Sequence, residues 1–117
     1  MSVSLELAKP FLGQRVRLII DRPLGSRHTR EGFVYKVNYG YVPGTLAPDG
    51  GELDAYFLGA REPLSHAAGI CIAIIHRRDD DDDKLVVVPV GTEPSDETIL
   101  AAVNFQERWF DSVLLRS

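Results

Sequence analysis

The stretch GICIAIIHRRDDDDDKLVVVPV, residues 69–90, decides how the rest of the chain is read. Gly69–Ile75 and Lys84–Val90 are short apolar runs rich in β-branched residues, and both read as buried strands. Between them stand Arg77, Arg78 and five successive aspartates, Asp79–Asp83. A block of like charges repels itself, so this run reads as a solvated, hairpin-like connection, unless a bound cation offsets the repulsion.

Working outward, Glu52–Leu58 (ELDAYFL) alternates. Leu53, Ala55 and Phe57 point one way, and Glu52, Asp54 and Tyr56 the other, as on a half-buried strand. Pro43–Gly51 is rich in turn residues. Gly32–Tyr41 (GFVYKVNYGY) is aromatic and β-branched, which predicts a strand ending near Asn38 or Gly40. Asp21–Arg30 holds Pro23, Gly25 and the cations Arg22, Arg27 and Arg30, and reads as a loop. Val16–Ile20 (VRLII) predicts a strand with Arg17 and Ile19 on one face. Val3–Leu12 is limited by Pro10 and Gly13 to one short helical turn or a loose arm. Beyond Pro94, Ser95–Asp111 reads as a helix. Ser95 can cap it, Asp96 and Glu97 suit its N-terminal dipole, and Ile99, Val103, Gln106 and Phe110 recur at helical spacing.

Five strands followed by one C-terminal helix, with no βαβ alternation, predict a mainly β (α+β) chain built as a small antiparallel or mixed barrel. With 117 residues and no internal repeat, residues 1–117 are expected to form a single domain. The net charge is −4 and no Lys/Arg block is present, so the electrostatic footprint of a nucleic-acid partner is missing. No run is long and apolar enough to span a bilayer. Cys71 is the single cysteine and lies in an apolar run, where a buried inert thiol is expected. The start, MSVSLELAKPF, lacks the features of a signal peptide, and a cytoplasmic location is expected.

Three features could carry chemistry. In DGGELD, residues 49–54, a turn aspartate and a strand aspartate can converge on a hard cation such as Mg²⁺, or form only a solvated Asp-Gly turn. In the acidic run, a cation could be held by carboxylates next to Lys84. In YKVNYGYVPG, residues 35–44, three tyrosines either pack together or offer a hydroxyl to a phosphate oxygen. The three histidines, His28, His66 and His76, show no zinc-ligand spacing.

NYGYVPGTLAPDGGELD, residues 38–54, followed by DDDKLVVVP, residues 81–89, resembles the soluble family I inorganic pyrophosphatases. That family has a tyrosine-rich NYGY strand, an Asp-Gly-Asp-Pro-x-Asp segment and an Asp-x-Lys at a strand start. The resemblance spans Arg17 to Val90 and implies a five-stranded OB-like barrel. It implies Mg²⁺-dependent hydrolysis of pyrophosphate or a related phosphoanhydride, by a cytoplasmic homo-oligomer. Position by position it implies metal ligands at Asp49, Asp54 and Asp82, with Asp79, or next Asp80, as the upstream aspartate. It implies phosphate-binding groups at Arg17, Arg27, Lys84 and Tyr39. The family's middle aspartate, which activates water, falls on Gly51, leaving Glu52 as the expected base. A site glutamate of the family falls on Ile19, and its C-terminal tyrosine–lysine pair falls on Trp109 and Phe110. These losses make a non-catalytic metal- and phosphate-binding module of the same fold the alternative. An OB-like nucleic-acid binder is a third reading, opposed by the acidic balance.

Overall fold

A computed structural model describes residues 2–116. Helix α1 (Val3–Ala8) runs into a 3₁₀ turn at Lys9–Phe11. There follow strands β1 (Arg15–Arg22), β2 (Asn38–Val42), β3 (Leu53–Phe57), β4 (His66–Arg77) and β5 (Lys84–Val88), helix α2 (Asp96–Glu107), and strand β6 (Ser112–Arg116). The strand order is β1-β2-β3-β5-β4-β6, and β1 also pairs with β4. That last pairing closes five strands into a barrel, as the sequence and the resemblance lead one to expect, with a C-terminal helix beside it. The barrel is mixed, because β3 and β5 are parallel while the other ladders are antiparallel. Among the described residues, no helix is long and apolar enough to cross a membrane.

The side-chain pattern explains the two-layer core. Along β1, Val16, Leu18 and Ile20 are buried while Arg15, Arg17 and Ile19 face out. Strand β5 is buried at every position. Its Leu85 and Val87 fill the barrel with Leu18, Phe57, Cys71 and Ile74. Its Val86 and Val88 pack outward with Tyr56, Ile75, and Ile99 and Val103 of α2. An unbroken apolar run is what a strand covered on both faces requires. Cys71 is fully buried, and burial pushes its thiol up to about 11, so it stays protonated and inert at neutral pH. The Ser95 hydroxyl accepts the Thr98 N–H at 3.1 Å and caps α2.

Three local expectations are corrected. The aromatic segment enters the sheet only at Asn38, and before it Val34 alone bridges to Arg27. Phe33, Tyr35 and Phe105 of α2 pack their rings together instead, with centroids 5.4–5.9 Å apart. Strand β1 continues through Asp21 and Arg22, which the sequence assigns to a loop. The C-terminal helix ends at Glu107, and the chain returns as β6, an added strand on β4.

The acidic run is the expected hairpin connection, exposed at Asp79 and Asp80, but its carboxylates have partners rather than water alone. Asp79 accepts the Asp111 N–H at 3.0 Å, and Asp80 lies 3.5 Å from the Arg77 guanidinium. Asp81 accepts the Ser4 N–H (2.8 Å), the Ser2 hydroxyl (2.9 Å) and the Val3 N–H (3.2 Å), so it caps α1. Asp82 pairs with Lys84 (2.9 Å). Asp83 is buried, accepts the Arg77 N–H (2.9 Å) and contacts His76 Nδ1 (2.8 Å). Like charges are tolerated in series because successive carboxylates turn to different donors.

Candidate active site

The mouths of β1, β2, β3 and β5, the turn after β4 and the end of α2 surround a cavity of about 670 Å³. Its floor is charged. Lys84, at the start of β5, is almost fully buried, and its Nζ lies between Asp54 Oδ2 (3.0 Å) and Asp82 Oδ1 (2.9 Å). Asp54 reaches it from β3, on the side of the strand opposite Leu53 and Ala55. Tyr39 of β2 stands beside them, its ring centre 5.6 Å from Lys84 Nζ. Burial, then the charges of Asp54 and Asp82, push the Tyr39 hydroxyl well above its ordinary value. It therefore stays a phenol and a hydrogen-bond donor throughout the neutral range.

A second cation lies under Asp82. Arg77, at the end of β4, is 4% exposed and donates through Nε and Nη2 to Glu107 Oε1 (3.0 Å) and Oε2 (2.8 Å). Its Nη1 reaches Asp82 Oδ2 at 3.4 Å, and the Phe110 ring lies 3.6 Å from its Cζ. Glu107 also accepts from the Tyr56 hydroxyl (2.5 Å) and the Ser112 hydroxyl (2.7 Å). Burial opposes ionisation of Glu107, but the hydrogen bonds and charge of Arg77 outweigh it and hold the carboxyl below its usual range. Glu107 thus anchors Arg77 from behind and leaves one edge of the guanidinium facing Asp82 and the cavity.

Asp21 and Arg22, at the end of β1, also line the cavity. Burial, opposed by Arg22 and reinforced by the charges of Asp54 and Glu52, raises the Asp21 carboxyl above its ordinary value.

Of the residues expected from the sequence, Tyr39, Asp54, Asp82 and Lys84 line this one cavity. The other five do not. Arg17 lies on the exposed face of β1, in register with Ala68. Arg27 donates to the Gly32 carbonyl at 2.7 Å and closes its own loop. Asp49 accepts the Gly51 N–H at 2.9 Å within an exposed turn. Glu52 is exposed just ahead of β3. Asp79 is tied to Asp111. Among the described residues, no three His, Cys, Asp or Glu side chains converge as ligands for a metal ion. Trp109 and Phe110 both reach the cavity wall. Arg77, Glu107, Asp21 and Arg22 were not foreseen. Only the alternation of β1, extended by two residues, could have pointed to Asp21.

The sequence profile of the inorganic pyrophosphatase family matches residues 13–113. Solved structures agree on the fold. The inorganic pyrophosphatase of Ehrlichia chaffeensis superposes with a TM-score of 0.61 at 18% identity, over 86% of this chain and 85% of that one. That of Coxiella burnetii gives 0.58 at 23% identity, over 81% and 76%. That of Neisseria gonorrhoeae gives 0.56 at 24% identity, over 74% of this chain and 60% of that one. The chain therefore spans less than two thirds of the gonococcal protein. No curated protein sequence matches it. A profile match over nearly the whole length, on a barrel whose β2, β3 and β5 bring tyrosine, aspartate and lysine to one cavity, places this chain in the inorganic pyrophosphatase family.

Proposed function

We propose that the chain hydrolyses inorganic pyrophosphate, or a closely related phosphoanhydride, with the help of Mg²⁺. The observation that carries this is Lys84 held between Asp54 and Asp82 on the floor of one cavity, with Arg77 below and Tyr39 beside it. The donor set suits the ion. Asp54 and Asp82 already flank one cation, and Mg²⁺ is typically held by one or two carboxylates together with phosphate oxygens and retained waters. When bound there, the ion would supply charge neutralisation on the phosphoryl oxygens and a more acidic water.

The chain's own residues do the rest. Lys84 and Arg77 bring their ammonium and guanidinium groups to the cavity floor, where they can stabilise the charge that builds on transferring and leaving oxygens. Tyr39 donates its hydroxyl, since burial keeps it protonated. Glu52 is the base implied by the resemblance. Asp21, whose basicity is raised and which lines the cavity itself, is the better placed proton acceptor. The acidic balance and the lone buried thiol support a cytoplasmic enzyme without a nucleic-acid or membrane partner, and the resemblance supports a homo-oligomer.

The test is phosphate release from pyrophosphate by purified protein, with Mg²⁺ and with chelator. Metal-dependent turnover is expected, and Asp54→Asn should lower kcat by about 100-fold or more. Binding of pyrophosphate without turnover at any pH would sink the proposal in favour of a non-catalytic module. Undiminished turnover by Asp54→Asn would place the site elsewhere.

A further inference from the structure

The cavity is far larger than pyrophosphate requires, and one of its walls is aromatic. From the charged floor, Tyr39, Tyr35, Phe33 and Trp109 succeed one another with ring centroids 5.4 Å apart at every step. The row becomes open toward the mouth. Tyr35 is 2% exposed and Trp109 is 53% exposed. Rings that served only to fasten α2 to the barrel would bury their far end too. Instead Trp109, the last residue of the row, is 53% exposed at the edge of a phosphate-sized floor, with only the exposed Arg108 guanidinium laid over its ring, 4.4 Å from the centroid. Pyrophosphate is little longer than one ring-to-ring step and would leave most of this wall uncovered. A cavity of about 670 Å³ is of the size that holds a ligand with a substantial organic part.

We propose that the site takes a phosphoanhydride carrying a planar aromatic ring, of which a nucleoside diphosphate is the simplest member. The diphosphate lies at Lys84 and Arg77, and the base stacks on Trp109 in the place that the Arg108 guanidinium takes in the free protein. The inference rests on the reading of the floor as a phosphoanhydride site and names the substrate class for it. In the reaction, water adds to the terminal phosphorus and the bond from that phosphorus to the bridging oxygen breaks. The products are a nucleoside monophosphate and inorganic phosphate, and the water's proton passes to Asp21 and then to solvent.

Trp109 is the only tryptophan, so its fluorescence reports directly on the mouth of the cavity. Wild-type protein is titrated in Mg²⁺, by calorimetry and by fluorescence, with ADP and pyrophosphate in their uncleavable methylene-bridged forms, so that binding is read without turnover. ADP is expected to bind about tenfold more tightly than pyrophosphate and to quench the emission, as base–aromatic stacking requires. Trp109→Ala is expected to bring the ratio of the two affinities close to one. Trp109 is half exposed, so this variant keeps the buried core intact. Pyrophosphate binding as tightly as ADP, or Trp109→Ala weakening both equally, would overturn the proposal. So would a blue-shifted emission that no ligand perturbs, which would put Trp109 in a contact between copies. Pyrophosphate turnover without nucleotide preference would overturn this inference alone. Failure of both ligands to bind would overturn the phosphoanhydride reading with it.

Discussion

Replacing Arg77 by methionine would strand the Glu107 carboxylate, which is 6% exposed, without its cation. A buried charge that loses its partner costs about 3–5 kcal/mol, and a loss of that order in urea unfolding is expected for Arg77→Met. The double variant Arg77→Met/Glu107→Gln should recover more than half of it, since the neutral amide can still meet Tyr56 and Ser112. A double variant no better than the single one would show that the buried charge is not the cause. Arg77 also shows why part of the site is invisible in the sequence. It sits among charges that look solvated, and its partner is thirty residues away, on a helix whose approach is set by tertiary packing. Asp54 was legible because it lies on a strand, where period-two alternation assigns a face, while Tyr39, Asp82 and Lys84 were pointed to by the family resemblance of NYGY and of the Asp-x-Lys at a strand start. Asp49 and Asp79 share the chemistry of Asp54 and Asp82, but a local hydrogen bond from Gly51 and a tertiary one from Asp111 turn them away from the cavity.

The elements depend on close backbone approach as much as on apolar pattern. Where β1 and β2 pair, a Cβ on Gly40 would run into the Ile19 carbonyl. Gly40→Ala is expected to destabilise the fold by about 3 kcal/mol, read as a lower urea midpoint with an unchanged slope. No change in midpoint would mean that the ladder can shift to admit the methyl. In NYGYV this glycine separates two tyrosines that carry the strand signal, yet the strand begins only at Asn38, after the aromatic segment that precedes it. The reason is that Phe33 and Tyr35 have β-propensity but pack on α2, and propensity is blind to which surface rewards it. The β4 and β5 runs were read as strands from their apolar character, but β4 reaches from His66 to Arg77, beyond Gly69–Ile75, and β5 stops at Val88. Strand β6 went unseen because SVLLR is short and follows directly on a helix, and only the free edge of β4 makes it a strand.

For the whole molecule, acid stability follows from the carboxylates. The Ser4 N–H foremost, with the other donors around it, holds the Asp81 carboxyl down at about 2. Glu107 is also held low. In the unfolded chain both take up protons near pH 4, before the folded chain does. The stability they contribute is therefore complete above that pH and is lost as pH falls through the folded values, which for Asp81 is about 2. Asp21, shifted the other way, partly offsets this. Urea midpoints measured from pH 5 to about pH 2 should fall, and Asp81→Asn should flatten the decline. An identical decline in the variant would remove Asp81 from the account. The same turn has a consequence for proteolysis. Asp80–Lys84 spells DDDDK, a string that one selective protease reads before cutting after the lysine. Here the aspartates are engaged by helix, strand and side chain, Lys84 is 2% exposed, and the scissile bond to Leu85 lies inside a barrel strand. The protease can bind this string only after the barrel has opened, so its cutting rate becomes a gauge of how often the native protein unfolds.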